Sequence, residues 1–150
     1  FEDRKLPFRN EFGDRLVAAI ANAGPFPEVP AVLATLKSKT RVIFISNTDN
    51  DMISQNMAKI PVSPHLLASA EDSKIYKPDL QMFRFAYDKA GIGFHRAVHV
   101  AAGFHHDIEP ASRLGIRRIW INRRGEVGDP TYAPYDELAN LDGLLDLLPI

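Results

Sequence analysis

The sequence predicts a three-layer α/β domain built on a parallel sheet, and three observations carry that prediction. Short runs of β-branched and aromatic residues alternate with stretches of helical periodicity, in the order βαβαβ. The runs are apolar throughout rather than alternating with polar residues, the mark of strands covered on both faces. The chain has 150 residues, 45% hydrophobic and 25% charged, which suits one domain whose folding removes roughly 70% of its extended surface from water. Parallel strands joined by helices imply right-handed crossovers and helices on both faces.

The elements follow in chain order. From Asn10 to Ala23, Phe12, Leu16, Ala19, Ile20 and Ala23 recur at helical spacing before Gly24 and Pro25 stop the helix. A second helix is expected from about Glu28 to Lys37, with Val29, Val32, Leu33 and Leu36 on one face and Pro30 in the tolerant first turn. Arg41 to Ser46 reads as a buried strand, and Asn47, Asp49 and Asn50 are the residue types that cap a helix, here one running to about Lys59. A short strand is expected around His65 to Ala70. Lys77-Pro78-Asp79 opens a helix carrying Leu80, Phe83, Tyr87 and Ala90 on one face, and Gly91 ends it. Ala97 to Ala102 is the next strand, followed by a helix to about Leu114, Gly115, and a strand from Arg117 to Ile121. Gly125 to Pro134 is the most loop-like stretch, and the Leu-rich tail from Tyr135 closes in a helix from about Gly143.

Composition narrows the function. Lys and Arg number 18 against 19 Asp and Glu, a net charge of −1, so no basic field exists for neutralising phosphates and nucleic acid is not an expected partner. No apolar run approaches the roughly 18 residues of a membrane span, and the given residues carry no pattern from which a secretory leader would be expected. A cytoplasmic protein with no membrane partner is expected. The absence of cysteine excludes disulfides, a thiolate zinc site and a cysteine nucleophile. Phe1 in first place suggests a chain that lost a leader or tag, or was cut from something longer.

Residues just past the carboxyl ends of parallel strands gather along one rim, where ligands bind. That rule brings together Ser46, Asn47, Thr48 and Asp49 after one strand, Lys77 from the following connection, and His105, His106 and Asp107 after another. A hydroxyl, an amide, an ammonium and a carboxylate suit a small anionic substrate. Ser46 reads equally as a strand end bonding local backbone, and Asn47 as a helix cap. Lys77 reads as a solvated lysine before a helix, and Asp107, three residues before Pro110, as an N-cap. His99, His105, His106 and Asp107 do not have the i, i+4 spacing of a helical metal site, so a structural or exposed role is expected of the histidines. Trp120, Phe83, Phe85 and Tyr87 are expected in the core or an interface.

The order of these motifs resembles the haloacid dehalogenase superfamily, in its type II 2-haloacid dehalogenase-like branch, over nearly the whole chain. Val42-Ile-Phe-Ile-Ser46-Asn47-Thr48 is similar to that family's second motif. Ser73-Lys-Ile-Tyr-Lys77-Pro78 is similar to the third, and His99-Val-Ala-Ala-Gly-Phe-His-His-Asp107-Ile to the fourth. Ile119-Trp-Ile-Asn-Arg123 resembles the strand and loop that follow. The resemblance implies a Rossmann-like core over residues 25–150 and a remnant of the family's helical cap over residues 1–24. It implies catalytic roles for Ser46, Lys77 and Asp107. Ser46 and Asn47 would hold the substrate anion or the nucleophile, Lys77 would offset their charge, and Asp107 would order the lysine, the attacking water or a metal.

In that family an aspartate carboxylate attacks the substrate and water then hydrolyses the covalent intermediate. The aspartate belongs to a first motif, an apolar strand running into Asp-x-x-Gly-Thr, which this sequence lacks. Asp3 precedes charged residues, and Asp14 falls inside an amphipathic helix. The same strand lies in the middle of the family's sheet, between the strands leading to Ser46 and Asp107. The expected core is therefore incomplete, with two strand edges flanking a gap. The gap is filled from a parent polypeptide, closed by direct pairing of the two strands, or filled by a second copy, and self-association is expected. Magnesium phosphatases of this superfamily usually carry an acidic residue where this chain has Ala102 or Gly103. A reaction without cofactor is therefore expected, with magnesium on Asp107 only under a phosphatase alternative. The chain is expected to be an inactive form of a 2-haloacid hydrolase, or a self-associating module that kept the scaffold after losing the chemistry.

Overall fold

The computed structural model describes residues 9–150; Phe1 to Phe8, including Asp3 and the first part of the expected cap remnant, lie outside the described residues. Helix α1 spans Asn10–Asn22 and α2 Val29–Lys39, with Pro30 in its first turn. Strand β1 is Ile43–Ser46, α3 Asn50–Met57, β2 Leu66–Ser69 and α4 Ala70–Ser73. Helix α5 spans Leu80–Ala90. Asp79 caps it by accepting a hydrogen bond from the Gln81 N–H at 2.9 Å, and Gly91 ends it in the left-handed region at φ +66°, where a side chain would be strained. Strand β3 is Val98–Ala101, α6 Glu109–Arg113, β4 Arg117–Ile121, β5 Asp136–Leu138 and α7 Leu144–Leu147.

All the strand pairings are parallel, as expected, but the strands form two sheets rather than one. β1 pairs with β2, with Ile43 opposite Leu66 and Ser46 opposite Ser69. β4 sits between β3 and β5, with Val98 opposite Arg117 and Ile121 opposite Leu138. Among the described residues β1 and β3 do not pair, which rules out direct closure of the gap. Each therefore keeps one edge without a strand partner, and every residue of β1 is half-buried rather than buried.

Helices on both faces hold the two sheets in one body. On one side Val32, Leu33 and Leu36 of α2 and Leu144 of α7 form a core with Ile119 and Ile121, against which Phe44 of β1 and Val98 and Val100 of β3 pack. On the other, Met82, Phe83, Ala86 and Tyr87 of α5 join Ala68, Ala111 and Ile116, with Ile45 against them. Successive strand residues serve opposite faces, as the pleat requires. Trp120 and Phe83 are fully buried, as expected of core aromatics.

Several local expectations change. Asp49 occupies the N-cap position of α3 without a side-chain capping bond; the Asn50 N–H instead donates to Glu71 Oε2 at 2.7 Å. Glu71 reaches it from the corner after β2, an arrangement set by tertiary approach rather than spacing. The expected helix to Leu114 begins as a π-helical turn, Phe104–Ile108, before α6. Asp107 lies inside that turn and does not cap α6. The loop-like stretch holds one 3₁₀ turn, Pro130–Tyr132. β5 escaped the sequence reading because Asp136-Glu137-Leu138 is a short, polar edge strand with no apolar run.

Candidate active site

The rim at the carboxyl ends of β1 and β3 brings the sequence-predicted residues together around Lys77. Its Nζ donates to Asp107 Oδ1 at 2.7 Å and to the Ile45 carbonyl at 3.1 Å, so the ammonium bridges the two sheets at the place where their strands do not pair. Asn47 holds the lysine's backbone. Its Nδ2 donates to the Lys77 carbonyl at 2.9 Å, and its Oδ1 accepts the Lys77 N–H at 2.7 Å. Among the described residues one amide N–H of Asn47 has no acceptor. Ser46 lies between Ile45 and Asn47, both partners of Lys77, with its hydroxyl 2.7 Å from that of Thr48.

The loop that presents Lys77 is organised by Ser73. Its hydroxyl donates toward the carbonyls of Ser69 and Ile75 and accepts the Ile75 N–H at 3.1 Å. A small hydroxyl can satisfy this crowded turn because its hydrogen rotates to suit.

Asp107 carries more than the sequence indicated. Besides Lys77, its Oδ1 lies 3.0 Å from His99 Nε2. The Lys77 and Asp107 side chains are 12% and 8% exposed, a buried ion pair. Burial opposes the charged carboxylate, but the His99 hydrogen bond and the Lys77 charge outweigh it and hold the Asp107 pKa below its ordinary value. Oδ2 has no hydrogen-bond partner among the described residues. Among the described residues no fully buried side-chain oxygen is left unpaired, so Oδ2 has access to solvent. His99 was expected to be structural or exposed. It is buried on β3, its ring 5.2 Å from that of Phe83. Its position in mid-strand was legible, but its carboxylate partner was not.

The remaining candidates lie at the margin. His105 is exposed and 3.3 Å from Glu109; among the described residues no three His, Asp or Glu side chains come together as a metal-binding group. Beside the rim, α1 and α3 enclose a groove lined by Asp14, Val17, Asp49, Met52 and Glu71, which contains neither Lys77 nor Asp107. Asp14 thus sits on that groove rather than at the end of an apolar strand. Past β4, the Arg123 guanidinium lies 3.8 Å from the centre of the Phe26 ring and pairs with Glu28, tying the link between α1 and α2 to the same end of the sheet.

This arrangement sets a held ammonium against an ionised carboxylate whose second oxygen reaches solvent. Known proteins resemble the chain over most of its length. The chain is 30% identical over 148 residues to (S)-2-haloacid dehalogenase 4A of Burkholderia cepacia, covering 97% of itself and 63% of that protein. It is 26% identical over 144 residues to (S)-2-haloacid dehalogenase 1 of Pseudomonas sp. strain CBS-3, covering 93% of itself and 63% of that protein. A crystal structure of a dehalogenase with an intermediate complex superposes at a TM-score of 0.87 and 27% identity, over 99% of this chain and 67% of the other. No protein-family model matches the chain. The chain therefore spans 63% of the length of these two curated relatives.

Proposed function

The chain belongs to the haloacid dehalogenase superfamily, and we propose that it carries the charge-handling part of a site that hydrolyses a short 2-haloacid through an aspartyl ester. The observation that supports this reading most is the buried contact of Lys77 with Asp107, 2.7 Å long, at the carboxyl end of two parallel strands. In the proposed reaction an aspartate oxygen attacks C2 of the haloacid and halide leaves with the bonding electrons. Water then attacks the ester carbonyl, releasing a 2-hydroxyacid and restoring the aspartate. Lys77 offsets the negative charge that the nucleophile and the substrate carboxylate bring together. Asp107, kept ionised by its neighbours, takes a proton from the attacking water through its open oxygen. Ser46 and the spare N–H of Asn47 bind the substrate carboxylate.

No apolar strand in these 150 residues runs into an aspartate, so the attacking carboxylate comes from outside them and this chain alone turns nothing over. The unpaired edges of β1 and β3 are where a further strand carrying it would add, and α1 is the edge of the cap that covers the site. Self-association through those edges and a cytoplasmic location belong to the same proposal.

Chloride release from 2-chloropropionate tests it. The chain alone releases none. The chain supplemented with an apolar strand ending in aspartate releases chloride, and Lys77→Ala abolishes the release. Turnover by the unsupplemented chain, or turnover insensitive to Lys77→Ala, would overturn the reading, as would magnesium-dependent hydrolysis of a phosphate ester in its place.

A further inference from the structure

Two features of the Asp107 carboxylate need a cause that Lys77 does not supply: both of its donors meet at one oxygen, and the other oxygen stands free. The terminal torsion of an aspartate is broad and two-fold, so a lysine alone donates to either oxygen equally well. The second donor comes from the middle of β3. His99 is 8% exposed, its ring is fixed against Phe83 of α5, and its Nε2 lies 3.0 Å from Oδ1. Donors from two elements, the loop before α5 and strand β3, thus converge on a single atom.

The free oxygen occupies space that the absence of a side chain at Gly103 leaves open. A Cβ on Gly103, just past the end of β3, would lie 2.8 Å from Asp107 Oδ2, closer than such atoms approach one another. Gly103 has an ordinary negative φ of −81°, so its backbone does not require glycine; the nearby oxygen does.

We propose that His99 is a positioning residue which, with room left by the bare Cα of Gly103, locks the Asp107 carboxylate with Oδ1 turned to Lys77 and Oδ2 turned to solvent. The proposal rests on the reading of Lys77 and Asp107 as the charge-handling pair and adds how the carboxylate is aimed. If His99 only fills space between β3 and α5, a phenylalanine there does the same work. If its donor orients the carboxylate, phenylalanine fails and glutamine, which keeps an N–H, succeeds.

The test is a carbon-13 NMR titration of the Asp107 carboxyl in the whole chain, with the Lys77 ammonium signal followed alongside. In His99→Phe the Asp107 titration moves upward and the Lys77 signal shifts; His99→Gln stays near the wild-type positions; Gly103→Ala displaces the Asp107 signal although His99 is intact. An unmoved Asp107 in a folded His99→Phe, or a His99→Gln that behaves like His99→Phe, overturns the proposal. Should His99→Phe fail to fold, Gly103→Ala decides: an unmoved Asp107 signal there overturns it and a displaced one supports it. Binding of 2-chloropropionate is read separately from shifts at Asn47 and Lys77. Its absence in the wild type counts against the proposed function while leaving the effect of His99 on Asp107 as measured.

Discussion

Asn47 matches the backbone of Lys77 as one strand matches another, donating to its carbonyl and accepting its N–H. Asn47→Asp keeps the acceptor but sets an anionic oxygen against the Lys77 carbonyl. The expected loss is about 1–3 kcal/mol in urea unfolding. Asp107 has a folded pKa below its ordinary value, so its contribution to stability is present above the unfolded value of about 3.9 and is lost as the pH falls through the folded one. Thermal melts across the acid range are expected to show that loss below about pH 4, and Asp107→Asn removes that part of the pH dependence. The same variant leaves the Lys77 ammonium buried without its anion, at a cost of about 3–5 kcal/mol measured at neutral pH. Ser46, Asn47 and Asp107 were legible in the sequence because periodicity marks the strands they follow, whereas Lys77, in the connection before α5, read as a solvated lysine until the family resemblance singled it out. His99 was not, because alternation tells which face a residue serves and not which side chain waits there.

At the scale of elements, local chemistry placed most boundaries. Gly91 ends α5 at φ +66°, and a Cβ there would meet nothing within 4 Å, so the cost of Gly91→Ala is backbone strain alone. About 1 kcal/mol is expected, read from the shift of the urea midpoint. Where boundaries moved, distant groups moved them. The start of α3 is satisfied by Glu71 from another corner rather than by its own Asp49. The carbonyls at the end of α1 are met from α3 and the turn after it, by Asn56 Nδ2 at 2.8 Å from the Ile20 carbonyl and by Lys59 at that of Ala21. The exposed Phe12, Leu16, Val17 and Ile20 show that α1 has the amphipathic pattern its spacing announced without a full partner for it among the described residues.

The whole molecule is defined by a sheet in two parts. Among the described residues β4 is paired on both sides, whereas β1 and β3 have one partner each. Hydrogen exchange is expected to be slowest in β4, with the amides of β1 and β3 that point away from their single partners exchanging faster. Equal protection across the three strands would show that the edges are covered. Those open edges also favour strand addition, and light scattering at micromolar concentration is expected to report an assembly larger than one chain; a monomer would count against it. Among the described residues no helix is long and apolar enough to cross a membrane.

By itself the sequence determined the α/β class, the parallel order and the rim on which an amide, a lysine and a carboxylate meet, because these follow from periodicity, from turn chemistry and from the common direction of parallel strands. The tertiary structure alone decided that the sheet divides between β1 and β3, that Lys77 spans the division, and that His99 shares an oxygen of Asp107. Each of these depends on which groups approach across tens of residues. Hydrogen bonds and buried charges are resolved by that approach, and no local pattern encodes it.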